Sequence, residues 1–243
     1  MTTLFISDLH IDAHHPLIAQ RFLNFLRGEA QRAAALYILG DLFESWVGDD
    51  DPDPDQRQVM ASLQTLTASG VACFIMHGNR DFLIGPRFCE ATGARLLHDP
   101  LILSLYGRRV LVMHGDALCT DDRSYQRLRA TVRDPGWQQR FLALNLAQRQ
   151  ALAEAARAGS QAHMAGLEYS IVDVNQTSVE IALRESGTEC LLHGHTHRPG
   201  VHSFRVDDRA CTRIVLGDWY TQGSVLRWRP EGYELGGLDA PAA

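Results

Sequence analysis

Five apolar, β-like runs along this chain each break off into a short segment bearing Asp, His or Asn. Leu4-Phe5-Ile6 leads to Asp8-Leu9-His10, Leu36-Tyr37-Ile38-Leu39 to Gly40-Asp41, and Cys73-Phe74-Ile75-Met76 to Gly78-Asn79-Arg80-Asp81. Val110-Leu111-Val112-Met113 leads to His114-Gly115-Asp116, and Cys190-Leu191-Leu192 to His193-Gly194-His195-Thr196-His197. Ligands of an open α/β sheet sit at the carboxyl ends of its strands, so the pattern directs five strand ends at one place. Two carboxylates, one amide and several imidazoles exceed the coordination needs of one divalent ion but suit two ions sharing a carboxylate.

The intervening segments support an α/β fold. Apolar residues at helical spacing (Ile18, Phe22, Phe25, Leu26) predict a helix over Leu17 to Ala30, and a second runs from about Gln56 to Ser69 after the acidic loop Gly48 to Pro54. Strands alternating with helices predict βαβ units and a parallel sheet. Beyond Ala94, Leu101 to Tyr106 and Arg109 to Met113 read as a hairpin turning at Gly107-Arg108, and Ile214 to Leu216 with Ser224 to Trp228 reads similarly. The core is therefore two sheets, or one mixed sheet, flanked by helices. Asp122 to about Glu168 has no strand-like run and is rich in Ala, Leu, Gln and Arg, which predicts a helical insert over the site. Residues 1–243 suffice for one domain carrying that insert at 122–168.

Composition narrows the function classes. A net charge of −6 argues against a nucleic-acid partner, and nothing in the chain calls for an obligate protein partner. No apolar run approaches the length of a membrane span, and the N-terminus enters its first strand without a charged leader, so no secretory signal is expected. The five cysteines are odd in number and lack a Cys-x-x-Cys pair, as in proteins of reducing compartments. All 23 basic residues are arginine, so any side-chain cation that holds a phosphate is one able to bind it bidentately.

Within the motifs, Asp8 and His10 alternate, as do His195 and His197, so on an extended backbone each pair points one way. Asn79 adds a neutral oxygen and His114 a third imidazole. Such mixed ligation suits Mn, Fe or Zn better than Mg or Ca. Any one motif alone is more often a turn; five in this order, each behind an apolar run, are not explained as turns. His193 reads as a supporting or core histidine, and Asp116 and Asp81 as groups that orient the imidazoles or cap a helix. His14, His15, His77, His98, His163 and His202 have no context that requires a metal.

The ordered motifs resemble those of the calcineurin-like metallophosphoesterase superfamily. More specifically, Gly40-Asp41-Leu42-Phe43-Glu44-Ser45-Trp46-Val47-Gly48-Asp49, Gly78-Asn79-Arg80-Asp81-Phe82-Leu83, His114 to Asp122, Ile171-Val172-Asp173-Val174-Asn175 and His193 to Pro199 resemble the UDP-2,3-diacylglucosamine diphosphatase family, a match running from Phe5 to about Ser224. The resemblance implies a two-sheet β-sandwich core flanked by helices, with a helical lid. It implies hydrolysis of a lipid-linked UDP-sugar in lipid A biosynthesis, water attacking the α-phosphorus to give UMP and 2,3-diacylglucosamine 1-phosphate. Two Mn2+ per chain and a peripheral position on the cytoplasmic face of the inner membrane are implied with it. Carried over, Asp8, His10, Asp41 and His197 hold one metal, and Asp41, Asn79, His114 and His195 the other. Substrate contacts fall on Asn79, Arg80, Asp122, Ser160 and His195, and on two insert positions where the family has an asparagine and a lysine and this chain has Met164 and Leu167. Neither can replace the polar contact.

Arg80, Asp41 and His195 form the expected catalytic group. Many relatives carry a histidine where Arg80 stands, suited to protonating an alkoxide. Arginine does not give up its proton at neutral pH. The leaving group of a diphosphate is a phosphate monoester whose second pKa is about 6, so it departs unprotonated and needs only charge stabilisation. In the insert, Trp137, Phe141, Leu142, Leu144, Leu146 and Leu152 are interleaved with Arg140 and Arg149, giving either a self-burying helical face or an acyl-chain groove with a rim for anionic lipid. The alternatives are a phosphoesterase acting on a soluble nucleotide or nucleotide-sugar and a catalytically silent scaffold. The latter predicts eroded ligands, and none is eroded.

Overall fold

The computed structural model describes residues 1–50, 53–165, 173–220 and 223–238, with the side chains of 160–165 outside that description. In chain order the elements are β1 (Thr3–Ile6), α1 (Pro16–Arg27), β2 (Ala35–Leu39), α2 (Pro54–Ala68), β3 (Ala72–Met76), α3 (Pro86–Thr92) and β4 (Arg95–Leu97), then the hairpin β5 (Leu101–Leu105) and β6 (Arg108–Val112). There follow α4 (Arg123–Val132), α5 (Pro135–Leu142), α6 (Leu146–Ala165), α7 (Gln176–Ser186), β7 (Cys190–His193), β8 (Gly200–Val206), β9 (Arg209–Val215), β10 (Val225–Arg229) and β11 (Gly232–Gly236).

Two sheets form, ordered β11-β10-β1-β2-β3-β4 and β5-β6-β7-β9-β8. The period of two along each strand serves both faces. Phe5, Leu39, Met76, Leu226 and Trp228 meet Val110, Val112, Leu192 and Ile214 of the opposite sheet. The alternate residues Leu4, Ile6, Leu36, Ile38, Cys73 and Ile75 turn outward onto α1, α2 and α3, while Leu111, Met113 and Leu191 pack against Val179 and Leu183 of α7. The result is a layered α/β/β/α sandwich, and burial on both faces explains why these strands are continuously apolar. β1, β2, β3 and β4 are parallel, as are β6, β7 and β9, which brings the five motif-bearing strand ends to one edge of the sandwich.

Helix boundaries follow local chemistry. Asp53 caps α2 through a reciprocal capping box with Gln56, and Pro54 occupies the first turn, so the helix starts two residues before the predicted Gln56. In the insert, Asp122 and Asp134 accept the Tyr125 and Trp137 amides at 2.8 Å, dividing it into α4, α5 and α6.

Ile214–Leu216 and Ser224–Trp228 do not form a hairpin. Ile214 and Val215 end β9, between β7 and β8, and Val225–Trp228 lie in β10, antiparallel to β1 and β11 of the other sheet. Both are buried on two faces, so apolarity marked them as strands without indicating their partners. The three-residue β4, together with β8 and β11, escaped prediction because exposed or half-buried residues break up any apolar run in them.

Candidate metal centre and adjoining cavity

Five of the seven ligand candidates sit on strained backbone. β1 ends at Ile6, and Asp8 (φ 56°) and His10 (φ 52°) are left-handed, as are Asp41 (52°), His195 (69°) and His197 (57°). The expectation that these pairs alternate along an extended strand is therefore incorrect: two consecutive sharp turns, not a pleat, aim them. Left-handed backbone costs an L-residue about 1–2 kcal/mol and persists where the surroundings over-determine it. Those surroundings are a ladder between loops: the Asp8, His10 and Ile11 amides donate to the carbonyls of Gly40, Asp41 and Leu42, and Glu44 N–H returns to Ile11 O at 3.2 Å. Asp81 joins the second and third loops by accepting the amides of Gly78 (2.8 Å), Leu42 (2.8 Å) and Asp41 (3.3 Å). Glycine is required where the loops close: a Cβ at Gly78 would strike Asp41, and one at Gly194 would strike Ser7 and Asp8.

Each carboxylate is anchored through one oxygen and presents the other. Asp8 Oδ2 accepts Ser7 Oγ–H (2.5 Å) and His195 N–H (2.9 Å), while buried Oδ1 has no hydrogen bond and lies 3.5 Å from His197 Nε2. Asp41 Oδ1 accepts Arg80 N–H at 2.8 Å, while Oδ2 stands 3.7 Å from His10 Nε2 and 3.8 Å from His114 Nε2. Asn79 Oδ1 lies 3.0 Å from His114 Nε2 and 2.9 Å from His195 Nδ1. His10 Nε2 and His197 Nε2 are 3.1 Å apart.

The outer nitrogens fix the tautomers. His114 Nδ1 donates to Leu39 O at 2.9 Å, and His10 Nδ1 donates to Glu44 Oε2 at 2.8 Å. Their Nε2 atoms therefore face Asn79 Oδ1 and His197 Nε2 across 3.0 and 3.1 Å, which gathers potential ligand atoms in one place. That arrangement, the orphaned Asp8 Oδ1 and the mixed oxygen–nitrogen donor set fit a pair of divalent ions, with Asp41 Oδ2 facing both groups. The buried carboxylates and imidazoles also perturb one another's charge. Burial acts against an ionised Asp8, but His197, with His114 and His10, holds its carboxyl below the usual range. Burial likewise disfavours charged His114, yet Asp41, Asp116 and Asp8 raise it to about 9, while burial and the His114 charge push His195 down to about 3.

The supporting residues differ in part from expectation. His193 is buried, its Nδ1 donating to Gly194 O at 2.8 Å, and lies outside the ligand cluster. Asp81 orients backbone amides rather than an imidazole. Asp116 accepts Tyr125 Oη–H and Arg129 Nε–H, each at 2.8 Å, so it anchors the insert instead of a ligand ring. Asp122 uses one oxygen to cap α4. The side chains of Ser160 and Met164, and Leu167 altogether, lie outside the described residues. Sequence reasoning missed Tyr125, stacked on His195 at 6.0 Å, and Asp218, whose Oδ2 is 3.6 Å from His197 Nδ1; neither belongs to a strand-end motif.

A cavity of about 500 Å³ opens beside this centre. Glu44, Asn79 and Arg80 form its polar end, and Trp46, Phe82, Leu128, Trp137, Phe141 and Leu152 its apolar wall. Arg129 and Arg133 also line it, and Arg133 Nη2 donates to Gly78 O at 2.9 Å. Arg149, expected on a lipid-facing rim, is instead buried and paired with Asp50 and Val47 O, tying α6 to the loop after β2. No helix among the described residues is long and apolar enough to cross a membrane.

Residues 1–199 match the family model described as calcineurin-like phosphoesterase. The chain is 50% identical over 235 residues to a protein of Escherichia coli O81 (strain ED1a) called UDP-2,3-diacylglucosamine hydrolase, covering 97% of this chain and 98% of that one. A protein of the same name from Stenotrophomonas maltophilia (strain R551-3) is also 50% identical, with the same coverage. An archaeal phosphodiesterase structure superposes with a TM-score of 0.51 at 14% identity, over 98% of this chain and 100% of that one, and supports the fold. The chain thus belongs to the calcineurin-like phosphoesterase family and, within it, to the family of the UDP-2,3-diacylglucosamine hydrolases.

Proposed function

We propose that this protein hydrolyses UDP-2,3-diacylglucosamine at its diphosphate, water attacking the α-phosphorus to release UMP and 2,3-diacylglucosamine 1-phosphate in lipid A biosynthesis. The observation that carries the reading is a junction: Asn79 and Arg80, adjacent in one loop, stand between the ligand cluster and an apolar cavity. A phosphoric anhydride with a lipid tail requires that juxtaposition, and the names of the relatives specify the substrate.

In this reading Asp8, His10, Asp41 and His197 hold one Mn2+, and Asp41, Asn79, His114 and His195 the other. Bound there, the ions supply acidified water and positive charge beside the phosphoryl oxygens. Asp41 shares its inward oxygen between the two groups. His195, kept neutral by burial, offers a lone pair rather than a proton. Arg80 stabilises charge on the departing phosphate without protonating it. The aromatic and leucine wall takes acyl chains and excludes water from the reacting end. Residues 122–168 act as a lid inserted in a single domain. Its exposed Leu128 and Leu142, with exposed Arg123, Arg127 and Arg140, suit peripheral contact with the anionic cytoplasmic face of the inner membrane.

The test is Mn2+-dependent UMP release from UDP-2,3-diacylglucosamine compared with UDP-N-acetylglucosamine. Strong preference for the lipid supports the reading. Equal turnover assigns a soluble nucleotide-sugar as substrate, and no turnover of either refutes hydrolysis.

A further inference from the structure

Glu44 lies outside the seven ligand candidates, yet it touches both halves of the machinery. Its Oε2 accepts His10 Nδ1–H at 2.8 Å, and its Oε1 stands 3.8 Å from Arg80 Nη1. The loop ladder fixes it there. Ile11 pairs in parallel with Phe43, and Glu44 N–H donates to Ile11 O, so the backbone segment bearing His10 determines where the Glu44 carboxylate sits. The side chain is 15% exposed, which shields its interactions from solvent while leaving its Arg80 side at the cavity wall.

We infer that Glu44 is a positioning residue that couples the centre's histidine to the leaving-group cation: one carboxylate sets the His10 tautomer and holds Arg80 toward the departing phosphate. Two physical arguments converge. A carboxylate accepting Nδ1–H leaves the Nε2 lone pair free for a metal and makes it more basic, and loss of such partners typically weakens metal binding about 10- to 100-fold. A guanidinium on a flexible stem needs a partner to hold it in place before substrate arrives. At 3.8 Å the pair is close enough to orient Arg80 through charge yet too long to engage it as a hydrogen bond, so the guanidinium remains able to meet a phosphate. The comparison with the other imidazoles is informative. His114 donates its outer proton to a backbone carbonyl, and His197 faces Asp218 at 3.6 Å. Of these partners, Glu44 also borders the cavity.

The inference rests on the metal-dependent diphosphatase reading, and its test separates the two. Glu44→Gln preserves size and an acceptor oxygen while removing charge, and Glu44→Ala removes both. Mn2+ affinity measured by calorimetric titration of the metal-stripped protein is expected to fall about tenfold in Glu44→Gln and further in Glu44→Ala, with circular dichroism unchanged. UMP release at saturating Mn2+ is expected to show a lowered kcat with little change in KM. In a cycle with Arg80→Ala, the double variant should lose at least threefold less than the product of the single losses, because Glu44 acts partly through Arg80. Wild-type Mn2+ affinity in Glu44→Gln, or strictly multiplicative losses, would overturn the coupling. A wild-type protein that binds no Mn2+ would refute the underlying site instead. Should Glu44→Ala fail to fold, the isosteric variant still decides.

Discussion

The buried carboxylate of Asp116 accepts the Arg129 Nε–H at 2.8 Å, joining the first helix of the insert to the loop that carries His114. Tyr125 reinforces the joint by donating to the same oxygen while its ring lies against His195. The joint therefore sets the position of the lid against the loop that carries His114. Asp116→Asn should lower the cost of opening α4 by about 1.5–3 kcal/mol, the worth of a hydrogen bond to a charged group. Amide exchange over 123–132 should accelerate and the KM for the lipid substrate rise severalfold, with Mn2+ content unchanged.

The same joint has a defined pH dependence. Burial would raise the Asp116 carboxyl, but His114, Arg129, His195 and Arg133 outweigh it and hold the group below its ordinary value of 3.8. A depressed carboxylate contributes stability that is fully present above the unfolded pKa and is lost as pH falls through the folded one. Protection of α4, corrected for intrinsic exchange rates, should thus be flat between pH 7 and 5 and decline only in stronger acid. A decline near pH 6 would contradict the assignment.

Arg80 separates anhydride from ester chemistry. Arg80→Ala should lower turnover of the lipid diphosphate roughly a hundredfold or more, the scale of losing one preorganised charge-stabilising group. Arg80→His should not restore it, since the departing phosphate needs no proton. Full rescue by histidine would show that a general acid was missing.

The apolar wall should act on binding alone. Phe141 is buried against Trp137, with ring centroids 5.0 Å apart, and lines the cavity away from the ligands. Phe141→Asp should raise KM for the long-chain substrate about tenfold or more and hardly change cleavage of a short-chain analogue, provided circular dichroism shows the helices intact. Equal losses on both substrates would reduce the lid to a folding element.

Much of this was legible in the chain because the strand ends carry it. Asp41 and Asn79 follow runs whose apolarity is continuous, and a parallel sheet must bring such ends to one edge. The pairing of β10 with β1 was not legible, because Val225 to Trp228 is buried on both faces and fits either sheet. Nor was the left-handed backbone at Asp8, His10 and His195, whose amides bond to groups on loops distant in sequence. Glu44 looks like an ordinary loop acid until the fold places His10 beside it, and Asp116, which the sequence casts as an imidazole-orienting or capping group, turns out to hold Arg129. Arg149 shows the converse: a basic residue in a basic insert proves to be a buried tie because Asp50 lies outside that insert.

The central claim is a two-metal centre whose shared ligand is Asp41, and metal content tests it most directly. Asp41→Asn removes the charge that faces both imidazole groups at 3.7 and 3.8 Å. Elemental analysis of the purified variant after Mn2+ loading should find both ions lost relative to two in the wild type, with UMP release abolished in parallel and the circular dichroism spectrum intact. Two tightly held ions and a near-normal rate in Asp41→Asn would contradict the account.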